Sequence, residues 1–218
     1  MIKADRKEVL RYLGYRGSQP SAEMTEMISD CIRQLEEAIV PAFVYRRFPV
    51  VFHDDGTMDI ADMHIRSEGL FRNLKGCSAV YMTACTIGPG CDRLIRRAEV
   101  TSMSRAAVFQ AAGSAMAEDL CDRVNEEIRI REEKEGNVLR PRFSPGYGDL
   151  PLELQRDFMR ILNMSKECGI TLTDTLLMIP SKSVTAFIGT AACQGEAEQR
   201  CDACAKRADC IYSDREEL

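Results

Sequence analysis

The sequence predicts an α+β fold, in which a few mostly antiparallel strands are covered by long helices. Two observations favour this class. Apolar residues recur at helical spacing over several long segments, and short runs rich in β-branched residues lie between those segments. The order of helical and strand segments is typical of an α+β arrangement. With 218 residues, 45% of them hydrophobic, the chain is long enough to bury a sizeable core.

The N-terminal part of the chain predicts two helices followed by a β-rich stretch. A short helix is expected over 4–13. A longer one is expected over 21–39, where these apolar residues share one face: Met24, Met27, Ile28, Cys31, Ile32 and Leu35. Residues 42–52 are rich in strand formers, and Pro49 within them indicates an edge or a bend.

The middle of the chain predicts a turn at 54–57 with a return strand, a helix over 63–76 and a buried strand over 79–88. Gly88-Pro89-Gly90 then leads into a helix over 91–99. A strand, a glycine turn and a helix could cradle a phosphate, but only a G-x-G pattern is present. An ordinary turn between strand and helix is the favoured interpretation.

The longest helical pattern covers 103–134, and its small-residue run at 111–115 predicts close packing against a neighbouring element. The elements expected after it are a strand over 138–143, a helix from Pro151 to Gly169, and two short strands over 174–179 and 183–188 joined by a Pro-Ser turn.

Composition limits the classes of partner. The net charge of −5 provides no basic excess for nucleic acid. No run of about 18 apolar residues predicts a membrane span, and the charged start of the chain lacks the apolar region of a signal peptide. A cytoplasmic protein is therefore expected. Its ten cysteines would be reduced there, which favours metal binding over a disulfide framework.

The stretch from Arg140 to Pro151, RPRFSPGYGDLP, combines a stiff loop with binding chemistry. Arg142 offers a planar fork that grips a carboxylate. Gly146 allows a ligand to approach the backbone, and Tyr147 adds an aromatic face that attracts a cation. This combination suits a zwitterionic, cationic small molecule such as S-adenosylmethionine. The alternative is a Pro/Gly loop whose arginine pairs with a surface acid.

The same residues resemble a known family. The pattern R-x-x-x-G-Y, followed by a helix and by ITLTDTLLMIPSKSVTAFIG, is similar to the activation domain of cobalamin-dependent methionine synthase. The match is most specific over 140–189. The segment 92–124 is also similar to small, free-standing relatives of that domain, so that the resemblance covers roughly the last two-thirds of the chain.

The resemblance implies a twisted antiparallel sheet and a role in methionine biosynthesis. The family binds S-adenosylmethionine and caps the synthase when its cobalamin has been oxidised to cob(II)alamin. An electron from a flavodoxin-like or ferredoxin-like donor, and the methyl group of S-adenosylmethionine, then restore methylcobalamin. Methyltransferase activity is accordingly expected only in complex with the partner that carries cobalamin.

Carried over by residue, the resemblance implies that Arg142 holds the carboxylate of S-adenosylmethionine. Ser144 and Gly146 supply backbone contacts, and Tyr147 lies near the reacting methyl group as the candidate catalytic residue. The sequence departs from the family at Gly148, where proline is typical, and this glycine is expected to loosen the loop. The family's acidic partner of the ligand amino group has no alignable counterpart.

Cobalamin is expected to arrive on a partner protein. The chain has no Asp-x-His-x-x-Gly pattern, and its only histidines are His53 and His64. His53 with Asp54 and Asp55 could ligate a metal, although a turn is the favoured interpretation of that segment.

The C-terminal tail carries four cysteines within eighteen residues: Cys193, Cys201, Cys204 and Cys210. Such density predicts either an iron–sulfur cluster or a zinc site, although the spacing matches neither a bacterial ferredoxin nor a paired C-x-x-C ribbon. Free or redox-active thiols are the alternative. Four other cysteines lie on apolar faces and are expected in the core: Cys31, Cys77, Cys121 and Cys168. Cys85 and Cys91 flank the glycine turn and could be either core residues or metal ligands.

The expected organisation is an activation-domain-like α+β domain over 1–189 and a cysteine-rich tail over 190–218. Two alternative functions remain open. One is an S-adenosylmethionine-binding regulatory or docking module without chemistry of its own. The other is a reactivating factor for a different corrinoid methyltransferase.

Overall fold

A computed structural model describes residues 2–15 and 17–192 of the chain. Its elements follow in chain order: α1 (Arg6–Tyr12), α2 (Ala22–Ala38), β1 (Ala42–Phe52), β2 (Thr57–Ile60), β3 (Met63–Arg66), α3 (Glu68–Leu74), β4 (Ala79–Thr86), α4 (Gly90–Thr101), α5 (Met103–Glu133), β5 (Asn137–Leu139), a 3₁₀ turn (Leu152–Leu154), α6 (Gln155–Leu162), α7 (Met164–Glu167), β6 (Thr171–Leu172), β7 (Met178–Ile179) and β8 (Ser183–Ala192).

Six strands form one antiparallel sheet in the order β3-β2-β1-β4-β8-β5. All eight residues of β4 are buried, because this strand lies inside the sheet and both of its faces are covered. The predicted α+β class, an antiparallel sheet packed by long helices, is therefore confirmed. No helix among the described residues is long and apolar enough to cross a membrane.

Alternate residues of β4 point into two different cores, as strand geometry requires. Tyr81 and Cys85 face a core shared with α1, α2, α4 and α5. Val80 and Met82 face a second core shared with α3, α6 and α7. The sheet is thus a central layer, with α1, α2, α4 and α5 on one side and α3, α6 and α7 on the other.

The expected helix over 63–76 is wrong in its first half. Met63 and Ile65 are buried while His64 and Arg66 are exposed, so this stretch has the period of a strand and pairs with β2. The helix itself begins only after Ser67, whose hydroxyl accepts a hydrogen bond from the backbone N–H of Leu70 at 3.1 Å.

The C-terminal elements also differ from expectation. The predicted helix over 151–169 is divided at Asn163, which takes a left-handed conformation with φ 53°. The expected strand over 174–179 shrinks to β7, which pairs with β6 in a separate two-stranded ribbon. The last strand is longer than the expected 183–188, since β8 extends from Ser183 to Ala192.

Candidate functional site

The loop from Arg140 to Pro151 is attached to the domain at two points. Phe143 exchanges backbone hydrogen bonds with Phe187 of β8, at 2.9 and 2.8 Å. At the other end of the loop, the carboxylate of Asp149 accepts hydrogen bonds from the Ser67 hydroxyl at 2.7 Å and from the Gly69 N–H at 3.1 Å. This carboxylate therefore anchors the loop to the positive N-terminal end of α3.

Hydrogen bonds inside the loop fix its shape. The N–H of Gly146 donates to the carbonyl of Leu150 at 2.9 Å, and the N–H of Tyr147 donates to the carbonyl of Ser144 at 3.0 Å. Gly148 has φ 60°, which proline cannot adopt because its ring fixes φ near −65°. Gly148 is therefore explained by a required backbone conformation, and the expected loosening of the loop gains no support from this geometry.

Arg142 is the buried charge of the loop, with only 8% of its side chain exposed. Its Nη2 donates to Glu118 Oε2 of α5 at 2.7 Å. Its Nη1 lies 3.0 Å from Asp122 Oδ1, within ion-pair range, yet it has no well-directed hydrogen-bond partner among the described residues. Residues four apart share one face of a helix, so Glu118 and Asp122 meet the same guanidinium.

Tyr147 presents its ring at the surface, with 53% of the residue exposed. It packs edge-on against Phe143, with ring centroids 5.8 Å apart. Phe143 in turn lies against Gly69, where an added Cβ would come within 2.9 Å of its ring. The ring of Tyr147 therefore packs on Phe143, which in turn packs against the N-terminal end of α3.

The four predicted binding residues therefore share one ordered loop. The Ser144 carbonyl and the Gly146 N–H are already engaged within that loop. Glu118 and Asp122 are the residues that sequence reasoning missed. Glu118 lies 24 residues before Arg142 in the sequence. The helical spacing of α5 could have placed Glu118 and Asp122 on one face, but it could not have shown that this face meets Arg142. The ion pairs also show that Arg142 does contact acids, as the alternative interpretation of this loop expected.

The glycine turn before α4 is explained by packing. An added Cβ at Gly88 would lie 2.7 Å from the Val40 carbonyl oxygen, and one at Gly90 would lie 1.9 Å from that of Ala38. The end of α2 and the residues directly after it therefore fill the space beside the turn, as expected for an ordinary turn between strand and helix and not for a phosphate-binding loop. At Gly113, likewise, an added Cβ would lie 2.5 Å from Cys91 Sγ, as expected for close packing of α4 and α5.

The six cysteines among the described residues are all buried: Cys31, Cys77, Cys85, Cys91, Cys121 and Cys168. Core placement of Cys31, Cys77, Cys121 and Cys168 is thereby confirmed, and Cys85 and Cys91, which could have served either role, lie in the core as well. A hydrogen bond with Cys121, together with burial, raises the pKa of the Cys85 thiol. Burial raises the pKa of Cys91 to about 12. Such thiols stay protonated, as structural cysteines do.

The predicted tail ligands Cys193, Cys201, Cys204 and Cys210 lie outside the described residues. His53 does not pair with Asp54 or Asp55 as a ligand group. Its Nε2 lies 2.8 Å from Asp59 Oδ2 instead. The His53 carbonyl accepts from the Gly56 N–H at 3.2 Å, which closes the expected turn.

Two comparisons with known proteins bear on the family of this chain. The sequence model of the vitamin B12-dependent methionine synthase activation domain matches residues 79–195, which include the whole loop and α5. The fold is similar to that in a crystal structure of the MetH reactivation domain bound to AdoHcy. That comparison has a TM-score of 0.63 at 16% identity and covers 85% of this chain and 73% of that chain. No curated protein sequence matches the chain.

The match to the family spans more than half of the 218 residues, and the structural comparison agrees with it in fold. The resemblance that was read from R-x-x-x-G-Y and the residues after it is confirmed. The chain therefore belongs to the family of vitamin B12-dependent methionine synthase activation domains.

Proposed function

We propose that this chain binds S-adenosylmethionine at the 142–147 loop and uses it to remethylate oxidised cobalamin held by a partner methionine synthase. The observation that carries this proposal is the buried guanidinium of Arg142, with its Nη1 lacking a well-directed partner, on the same short loop as the exposed ring of Tyr147. Family membership and the AdoHcy bound to the similar MetH domain support it.

Arg142 is suited to hold the carboxylate of the ligand. Asp122 is 68% exposed and meets Nη1 without a directed hydrogen bond, so an incoming carboxylate can displace it at low cost. Glu118 would remain on Nη2 and keep the guanidinium in position. A carboxylate bound by a buried guanidinium makes the strong, charge-assisted contact that fixes the orientation of a ligand.

Glu118 gives the site an acidic partner. Its side chain is 40% exposed and lies directly beside Arg142. A carboxylate in that position can accept hydrogen bonds from the ammonium or hydroxyl groups of S-adenosylmethionine. Glu118 is therefore our candidate for an acidic contact that could not be assigned from the sequence. The Ser144 N–H and the Gly146 carbonyl are the backbone groups proposed to complete the contact.

Tyr147 is proposed to act beside the reacting methyl group. An exposed aromatic face attracts the positive sulfonium and offers a flat apolar surface to the corrin ring of the partner. The chemistry needs one electron from an external donor to reduce the partner's cob(II)alamin. The methyl–sulfur bond then breaks as the methyl group passes to cobalt, and S-adenosylhomocysteine leaves. Positioning of donor and acceptor is the protein's contribution.

The test is anaerobic reconstitution with a cobalamin-carrying methionine synthase module. The partner in its cob(II)alamin form is mixed with S-adenosylmethionine and a reductant, and the change to methylcobalamin is followed by absorbance with and without this chain. We expect a rate that depends on the chain and falls in Arg142→Ala, but not in Arg156→Ala, an exposed arginine on α6.

Two other results separate the alternative functions. Binding of S-adenosylmethionine without any acceleration of methylation would identify a regulatory or docking module. Acceleration only with another corrinoid protein would identify a different methyltransferase as the partner. No binding and no acceleration would overturn the proposal.

A further inference from the structure

We propose that His53, Asp59 and His64 form a binding site for a divalent transition-metal ion of the Zn²⁺ class. The three residues lie at the β3 edge of the main sheet, before the segment 79–195 that matches the family. The inference does not depend on the proposed function, because none of these residues belongs to the 142–147 loop.

Strand register brings the three side chains together. Asp59 of β2 is directly opposite His64 of β3, and it is also directly opposite Val51 of β1. His53 follows Val51 by two residues, which places it on the same side of the chain. Met58, Ile60, Met63 and Ile65 occupy the opposite side and are buried. The backbone thus holds two imidazoles and one carboxylate on a single accessible face.

The ligand atoms already converge. His53 Nε2 lies 2.8 Å from Asp59 Oδ2, and His64 Nδ1 lies 2.7 Å from Asp59 Oδ1. All three candidate ligand atoms lie within 4.8 Å of one another. Ligands of tetrahedral zinc are about 3.4 Å apart, given metal–ligand bonds near 2.1 Å. The side chains are partly exposed, at 38%, 43% and 64%, so they can open by the small distance that an ion requires.

The ligand set selects the kind of ion. Two imidazole nitrogens and one carboxylate oxygen suit Zn²⁺, Ni²⁺ or Cu²⁺, whereas Mg²⁺ and Ca²⁺ prefer oxygen ligands. The neighbouring cation Arg66 is directed at Asp55, with Nη2 3.3 Å from Oδ2. Three protein ligands leave a coordination position open for water or another ligand. A bound ion would tie the end of β1 to the edge strand β3.

Both histidines of the chain take part, which makes the site easy to observe. The experiment uses the untagged full-length chain with serine replacing the four tail cysteines, so that thiolates do not compete for the metal. Zinc chloride is added, and the two sets of imidazole resonances are followed by NMR. We expect both sets to shift together and to saturate at one equivalent of Zn²⁺.

Two variants in the same background complete the test. We expect His64→Ala to weaken Zn²⁺ binding about tenfold or more and to suppress the response of the His53 ring. Asp54→Asn is the matched control, since Asp54 is an exposed acid of the adjoining turn that lies outside the cluster. Imidazole signals that stay unmoved at millimolar zinc, or equal affinity in wild type and His64→Ala, would overturn the proposal and leave the contacts as hydrogen bonds of the hairpin.

Discussion

Arg142 Nη2 lies 2.7 Å from Glu118 Oε2, and this contact joins the loop after β5 to the middle of α5. The pair brings opposite charges together, and the loop that carries Arg142 also carries the exposed Tyr147. A site with a fixed cation and a fixed anion is suited to a zwitterionic ligand, because each charge of the ligand finds an opposite partner.

The first prediction concerns the cation of this pair. Arg142→Ala should weaken binding of S-adenosylmethionine by about 1.5–3 kcal/mol, roughly 10- to 150-fold, because a charge-assisted hydrogen bond to the ligand is lost. Isothermal titration calorimetry measures the change. Arg156→Ala serves as the control, and circular dichroism verifies that both variants fold. Equal affinities in wild type and Arg142→Ala would show that the ligand carboxylate binds elsewhere.

The second prediction separates the ring of Tyr147 from its hydroxyl. Tyr147→Phe should retain most of the binding and reactivation, because the aromatic face remains beside the sulfonium. Tyr147→Ala should slow reactivation markedly, since it removes the exposed ring that packs on Phe143. Rates of methylcobalamin formation measure both. If Tyr147→Ala reactivates as fast as wild type, the ring has no part in the reaction.

The third prediction concerns Glu132, whose carboxylate is buried at 1% exposure. Burial acts to raise the pKa of Glu132, but hydrogen bonds from Tyr81, Thr190 and Asn137 hold it below its ordinary value. The stabilisation is therefore present above the ordinary pKa of 4.5 and is lost as pH falls through the lowered value. Glu132→Gln should cost about 1.5–3 kcal/mol of unfolding free energy at neutral pH.

The hydrogen bond between Tyr81 and Glu132 also makes stability depend on pH at the alkaline end, where stability should fall as pH rises. Burial first, and the hydrogen bond to Glu132 second, raise the pKa of Tyr81 from 10.0 to about 12. Its contribution is complete below pH 10 and should disappear as pH rises through about 12. Urea unfolding across the pH range tests both limbs. Glu133→Gln, on the exposed side of α5, is the control and should leave the profile unchanged; a Glu132→Gln profile identical to wild type would contradict this interpretation.

The fourth prediction concerns the cysteine-rich tail, 190–218, as a metal-binding extension. If Cys193, Cys201, Cys204 and Cys210 hold one centre, anaerobically purified protein should contain iron or zinc in proportion to protein. Replacement of the four by serine should remove that metal. An iron–sulfur cluster would also give a brown colour, whereas zinc would be colourless. Elemental analysis that finds neither metal, with four titratable thiols, would leave these residues as free or redox-active cysteines.

The long elements could be predicted because their patterns extend over many residues. α5 shows helical spacing through 31 residues, and β4 consists mainly of apolar and β-branched residues. β3 was missed because its alternation of Met63, His64, Ile65 and Arg66 lasts only four residues and runs directly into a helix. The break at Asn163 depends on one left-handed residue, which no periodicity reveals.

The site was predictable only in its local part. Arg142 and Tyr147 lie on one short loop, so a sequence motif could mark both. Glu118 and Asp122 meet Arg142 through tertiary packing of α5 against that loop, and no local pattern contains this information. The same holds for His53 and Asp59, which strand register brings together although the turn between them pointed to other acids.

The most direct test of the central claim follows the methyl group itself. S-adenosylmethionine labelled in its methyl group is incubated anaerobically with reductant, this chain and a partner carrying cob(II)alamin, and label on the cobalamin is counted. We expect label on cobalamin to accumulate in step with the appearance of S-adenosylhomocysteine, and to fall sharply with Arg142→Ala. Label that reaches cobalamin at the same rate without the chain, or never reaches it although the ligand binds, would contradict the proposed reactivation.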